Sequence, residues 1–141
     1  DVVRRVAGTD KSGTRVKGLA RAARKYGLSA VVKQMTPGDV RKCIDQAIPV
    51  ILLLQAWRRN KKIKWKNDWK DGHYAVAIGY DADKIYFEDP SCVARTYLTY
   101  PELDERWHDR SYDGVRYEHY GIAIRGKKRQ RYDPCRVIHM G

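Results

Sequence analysis

Apolar positions along the chain change period near residue 49, and that change predicts helices first and a sheet afterwards. Val2, Val3 and Val6 share one face at helical spacing, so Asp1 to Ala7 is expected to be helical. A loop rich in turn residues follows, Gly8-Thr9-Asp10-Lys11-Ser12-Gly13-Thr14. Thr14 is placed to cap a second helix reaching Tyr26, with Val16, Leu19, Ala20, Ala23 and Tyr26 as its buried stripe and Gly27 as its stop. Leu28 to Val32 has the pattern of a strand. Thr36-Pro37-Gly38-Asp39 then opens a third helix, with proline near its first turn and Val40, Cys43, Ile44 and Ala47 on one face.

From Pro49 to Ala56 the chain is almost continuously apolar, as a strand covered on both faces would be. A basic connection leads to strands starting near Tyr74 and Ile85. Beyond Asp89-Pro90, Thr96 to Thr99 fits an edge strand, Pro101 to Trp107 a turn or two of helix, and Tyr117 to Ile124 a further strand. Helices followed by a mostly antiparallel sheet make an α+β arrangement, not an alternating βαβ array. There is no internal repeat. The simplest division is one domain over residues 1–126 and a basic tail over 127–141.

Composition narrows the class. With 141 residues the chain can bury a core without disulfide staples, and 43% hydrophobic residues with only five prolines argue against disorder despite 33% charged residues. Its longest apolar stretch, Ala47 to Trp57, is interrupted by Pro49 and Gln55 and is too short to cross a bilayer. The sequence starts at Asp1 without an initiator methionine or a charged-then-apolar leader, so a fragment, a processed form or a trimmed form is expected.

Lysine and arginine number 29 against 17 aspartates and glutamates, a net charge of +12. The excess is concentrated between Trp57 and Lys66 and between Arg125 and Arg131. Arg58, Arg59, Lys61, Lys62 and Lys64 alternate with tryptophans, so a nucleic acid, an anionic surface or an acidic protein is a physically reasonable partner. No nucleic-acid-binding motif accompanies the charge, and the plainer reading is a solvated, flexible connection whose tryptophans cover the core edge.

Three cysteines, Cys43, Cys92 and Cys135, form neither a disulfide framework nor a paired metal site. Free thiols favour a reducing compartment, such as the cytoplasm or the cytoplasmic face of a membrane, and leave localisation otherwise open. His108, His119 and His139 have Glu105, Asp109 and Glu118 nearby, but at no compact ligand spacing. No metal or other cofactor is expected, and there is no phosphate loop or serine elbow.

The chemistry with most promise lies between Asp71 and Pro90. Gly72-His73-Tyr74 opens one apolar run, and Lys84-Ile85-Tyr86-Phe87 ends in Glu88-Asp89-Pro90. A hairpin would bring His73 beside Asp89, the usual arrangement of a general base and the carboxylate that orients it for a thiol or hydroxyl nucleophile. Each residue alone is also a common turn residue. Cys43 belongs by its spacing to the core, and Cys92, on the loop after Asp89, is the internal candidate for a surrogate thiol.

The Gly8-Thr9 to Gly13-Thr14 loop, Gly18-Leu19, the Tyr26-Gly27-Leu28 exit, the Pro49 strand, Gly72-His73-Tyr74 and Asp89-Pro90 occur in the same order as in the bacteriocin-processing, double-glycine-leader cysteine peptidases. The chain resembles that family over roughly residues 1 to 100. The resemblance implies a papain-like α+β fold, His73 and Asp89 as catalytic residues, and cleavage of a peptide or protein substrate. In that family a cysteine on the first helix and a glutamine for the oxyanion hole precede the Gly-Thr loop. Here no residue before Gly8 is a cysteine or glutamine, so the nucleophile is expected upstream of Asp1 or on a partner chain. Something should then cover the sheet face that the helix would occupy, because leaving it wet forgoes about 25 cal/mol per Å² of apolar area. The alternative is an inactive peptidase-like module that binds a peptide, protein or anionic partner through its basic surface.

Overall fold

The computed structural model describes residues 1–127. Asp1 caps helix α1 (Val2–Ala7) by accepting from the Val3 N–H, and Gly8 ends it in the left-handed region. Helix α2 (Val16–Lys25) packs against α1 through Gly18, where a Cβ would collide with the Ala7 carbonyl. Its N-cap is Arg15, which gives no side-chain cap bond, so Thr14 does not have the expected capping role. The Thr14 hydroxyl instead bonds that of Thr9 at 2.6 Å, which closes the loop. Tyr26 also departs from the expected buried stripe: it is the C-cap residue, and its ring is exposed.

Strand β1 (Ser29–Gln34) leads to α3 (Pro37–Asp45), whose Thr36–Asp39 capping box and N-terminal proline match the sequence signature. Ala47 was expected on the buried face. It is exposed, because the helix stops at Asp45, Ala47 turns to φ 54°, and Ile48 takes the inward position. Strands β2 (Val50–Gln55), β3 (Gly72–Tyr80), β4 (Lys84–Glu88) and β5 (Thr96–Thr99) then follow as a meander.

Helix α4 (Tyr100–Arg106), again with a capping box, precedes two short strands absent from the sequence reading as separate elements, β6 (His108–Arg110) and β7 (Arg116–Glu118). The single strand expected over Tyr117 to Ile124 is split. His119 adopts φ 57°, so β7 pairs with β6 while β8 (Tyr120–Arg125) joins the main sheet. That sheet is antiparallel throughout, in the order β1-β8-β2-β3-β4-β5.

Alternation along β2 divides the interior into two layers. Val50, Leu52 and Leu54 face α3 and α4 in a core with Val40, Phe87, Leu103 and Trp107. Leu53 faces the other way, into a smaller cluster with Val16, Ala20 and Ala23 of α2. Helix α2 thus packs on one sheet face and α3 and α4 on the other, while Ile51 and Val76 beyond α2 stay only partly buried, and the polar chemistry is left at the end where β3 begins and β4 finishes.

Candidate active site

Leu54 lies opposite His73 and Gln55 opposite Gly72 in the β2–β3 ladder, while Val76 faces Glu88 across β3–β4. Antiparallel pairing thus brings the start of β3 beside the end of β4. His73 Nε2 meets Asp89 Oδ1 at 2.7 Å, with both side chains largely buried. An ionised Asp89 can only accept, so Nε2 carries the proton and Nδ1 keeps the basic lone pair.

Asp89 is held by more than the histidine. Its Oδ1 also accepts from the Ser91 N–H at 2.8 Å, and its Oδ2 accepts from the Trp57 indole at 3.0 Å. Burial raises the carboxyl pKa, but the bonds from Ser91, His73 and Trp57 outweigh it and hold the group below its ordinary value. Trp57 is therefore a part of the site that sequence reasoning missed. It is 56% exposed and has φ 55°, so it does not cover the core edge as expected. The available signal was an aromatic N–H donor directly after a buried strand.

On the other side of His73 stands a second carboxylate, Asp109 of β6. Gln55, fully buried, donates to Asp109 Oδ1 at 3.2 Å and to the His108 carbonyl at 3.1 Å, and accepts from the Asp71 N–H at 2.9 Å. Burial raises the Asp109 pKa, and the bonds from the Arg110 N–H and Gln55 do not offset it. Gly72 is required here because a Cβ would run into the Asp109 carboxyl. In the sequence Gln55 was visible only as a polar interruption of an apolar run.

Two pockets meet at His73. One of about 330 Å³ lies against the α4 side and includes Trp57, Phe87, Asp89 and Arg106. The other, about 480 Å³, is bordered by the Gly13–Arg15 segment, Tyr74, Ser91 and Asp109. Cys43 is buried in the core, and Cys92 lines neither pocket. Cys135, His139 and nearly all of the expected tail at 127–141 fall outside the described residues.

The basic connection carries local structure. Trp65–Asn67 forms a 3-10 turn, and Arg58 sits 4.3 Å over the Trp65 ring while donating to the Ile63 carbonyl at 2.8 Å. Arg59 pairs with Asp71 at 3.1 Å, and Lys61, Lys62 and Lys64 are exposed. His108 is buried with Nε2 on the Asp68 carbonyl, and His119 lies 3.8 Å from Asp104. Among the described residues no three His, Cys, Asp or Glu side chains are arranged to hold a metal ion, and no helix is long and apolar enough to cross a membrane.

Residues 1–111 match the Peptidase C39 family. The chain belongs to that family. Among solved structures it is similar to the peptidase domain of Streptococcus ComA, a bi-functional ABC transporter involved in a quorum-sensing pathway, with TM-score 0.63 and 19% identity over 89% of this chain and 77% of that one. The Streptococcus mutans ComA peptidase domain gives TM-score 0.60 and 20% identity over 86% and 82%. A double-glycine-motif protease from an AMS/PCAT transporter, solved with its leader peptide, gives 0.57 and 17% over 88% and 69%. No curated protein sequence matches the chain. The fold of this C39 domain is thus papain-like α+β, and its function is cysteine peptidase-like.

Proposed function

We propose that this C39 domain cleaves a peptide bond, after a double-glycine leader in its substrate, with His73 as general base and acid and Asp89 as its orienting carboxylate. The observation that carries this reading is the 2.7 Å contact of His73 Nε2 with a buried, triply bonded Asp89, which leaves Nδ1 as the basic nitrogen beside two pockets. The thiol and the oxyanion donor are supplied upstream of Asp1. Nδ1 takes the thiol proton, the thiolate attacks the scissile carbonyl, and the resulting imidazolium protonates the leaving amine as the C–N bond breaks. Water then attacks the thioester, giving up its proton to His73, and returns the free thiol and the acid.

The test uses the chain with its natural upstream residues. A double-glycine leader peptide should be cleaved, and His73→Ala should lower the rate about 10²- to 10⁴-fold, the usual contribution of a general acid–base. Absence of both cleavage and thiol labelling near neutral pH would sink the reading. It would leave the second one, a non-catalytic module that binds a peptide, protein or anionic partner, which is supported by the exposed Lys61, Lys62 and Lys64 of the basic connection. In that case charge reversal at Lys61, Lys62 and Lys64 should weaken binding and His73→Ala should not.

A further inference from the structure

Between Asp10 and Asp39 the chain carries seven lysines and arginines and no carboxylate. Four of these cations fall on α2. Lys17, Arg21, Arg24 and Lys25 recur at i, i+4, i+7 and i+8, so they form one stripe along the helix, and all four are exposed. Leu19 lies on the opposite flank, towards Ile51 and Val76 of the sheet, and none of the four lines the two pockets at His73. Arg21 Nε donates to the Val6 carbonyl at 2.7 Å and Arg24 Nη2 to the Ala30 carbonyl at 2.8 Å, which holds both guanidiniums in place without neutralising them. The Lys127 side chain lies over Gly27 and extends the stripe past the end of the helix. Among the described residues no carboxylate forms an ion pair with any of these five cations. Like charges at such spacings repel, and an anionic surface laid along the helix relieves that repulsion.

A stripe on the convex side of a helix, with no cleft beneath it, suits a flat charged surface better than a small anion. Helix α2 holds no Asn, Gln, Ser or Thr to read base edges. Directly after it, Tyr26 is 55% exposed and Leu28 is exposed as well. An aromatic ring and an aliphatic side chain beside lysines and arginines make an interfacial contact, in which apolar groups enter the headgroup layer while long basic side chains reach its phosphates. We propose that this face docks on an anionic lipid surface, with Lys17, Arg21, Arg24, Lys25 and Lys127 meeting the headgroups and Tyr26 and Leu28 entering the layer between them. The proposal goes beyond the peptidase reading, does not depend on it, and uses different residues from the basic connection.

The experiment is co-sedimentation of the chain with phosphatidylcholine vesicles and with vesicles of phosphatidylcholine and phosphatidylserine. Binding should require phosphatidylserine and should weaken by roughly tenfold or more in about 1 M salt, where the Debye length falls to about 3 Å. Lys17→Glu/Arg21→Glu/Lys25→Glu should weaken it roughly 10²-fold or more, each basic side chain at such a surface being worth about fivefold. Lys61→Glu/Lys62→Glu/Lys64→Glu changes the net charge equally and should weaken it less than about threefold, because charges away from the contact are screened. Equal binding to the two kinds of vesicle, or an equal loss in the two triple variants, overturns the proposal. Binding of a duplex oligonucleotide with no binding of either vesicle also overturns it, by assigning the stripe to nucleic acid. If the reversed α2 variant does not fold, Lys17→Gln/Arg21→Gln/Lys25→Gln decides by the same comparison, since glutamine keeps the helix propensity and removes the charge.

Discussion

Asp89 and Asp109 flank the start of β3, both are withdrawn from water, and their pKa values move in opposite directions. Asp89 gathers three donors from three separate segments, the Ser91 backbone, His73 and Trp57, and stays ionised with ease. Asp109 has two, its neighbour's N–H and a glutamine amide, and burial dominates. The lesson is that burial alone does not set the charge of a carboxylate in a site; the count and source of its donors do. One carboxylate is suited to hold imidazolium, the other to hold a proton.

Replacing Asp89 by alanine attacks the better-bonded side. It should lower peptidase activity of the longer chain about as much as His73→Ala, roughly 10²-fold or more. It should also cost about 1–3 kcal/mol of stability in urea unfolding, because the His73 and Trp57 donors lose their partner in a largely buried place.

Gly72→Ala attacks the other side by pushing the Asp109 carboxyl away, at about 1–3 kcal/mol for forced overpacking. The double variant Gly72→Ala/Asp109→Gly should recover most of that loss. A cycle without coupling would place the strain elsewhere.

The pH dependence sharpens the contrast. Asp89 titrates lower in the fold than in the unfolded chain, so its stabilising contribution is complete above the unfolded value of about 3.9 and is lost as pH falls through the folded value. Asp109 titrates higher in the fold, so its ionisation removes stability as pH rises from the unfolded value through the folded one. Urea midpoints from pH 3 to 7 should therefore show that Asp109→Asn, which keeps the acceptor for Gln55, raises stability at neutral pH and flattens that rising-pH loss. Unchanged curves would mean that Asp109 is not shifted.

The smallest effect is expected from Trp57→Phe, which keeps a ring and removes one donor. The Asp89 carboxyl should titrate higher by carbon NMR, and kcat should fall about three- to tenfold with KM unchanged, in line with loss of about 1 kcal/mol from a half-exposed bond. A change in KM alone would assign Trp57 to substrate contact instead.

Elements set by local pattern were legible in the sequence. The capped start of α3 and the run of β2 follow from residues a few positions apart, and the hairpin that joins His73 to Asp89 from two adjacent strands. Features set by distant partners were not. Nothing local announces that His119 turns to positive φ and sends β7 and β8 to different sheets, or that Trp57 leaves the core edge to reach Asp89, 32 residues away. Gln55 was read only as an interruption, because the groups that give it meaning lie on other elements. Asp109 was weighed only as a metal ligand for nearby histidines, and its neighbour across the fold is Gly72.

The place of β8 between β1 and β2 has a consequence for biosynthesis. The last described strand fills a gap near the middle of the sheet, so β1 stays separated from the β2–β5 meander until the ribosome has released residues 120–125. A nascent chain holding every residue of the His73–Asp89 pair must wait for a strand some 30 residues further on before its two halves close, a long-range step of the kind that slows folding. Hydrogen exchange on chains stalled before and after Tyr120 would time that closure, with protection of the β1 amides expected only in the longer one.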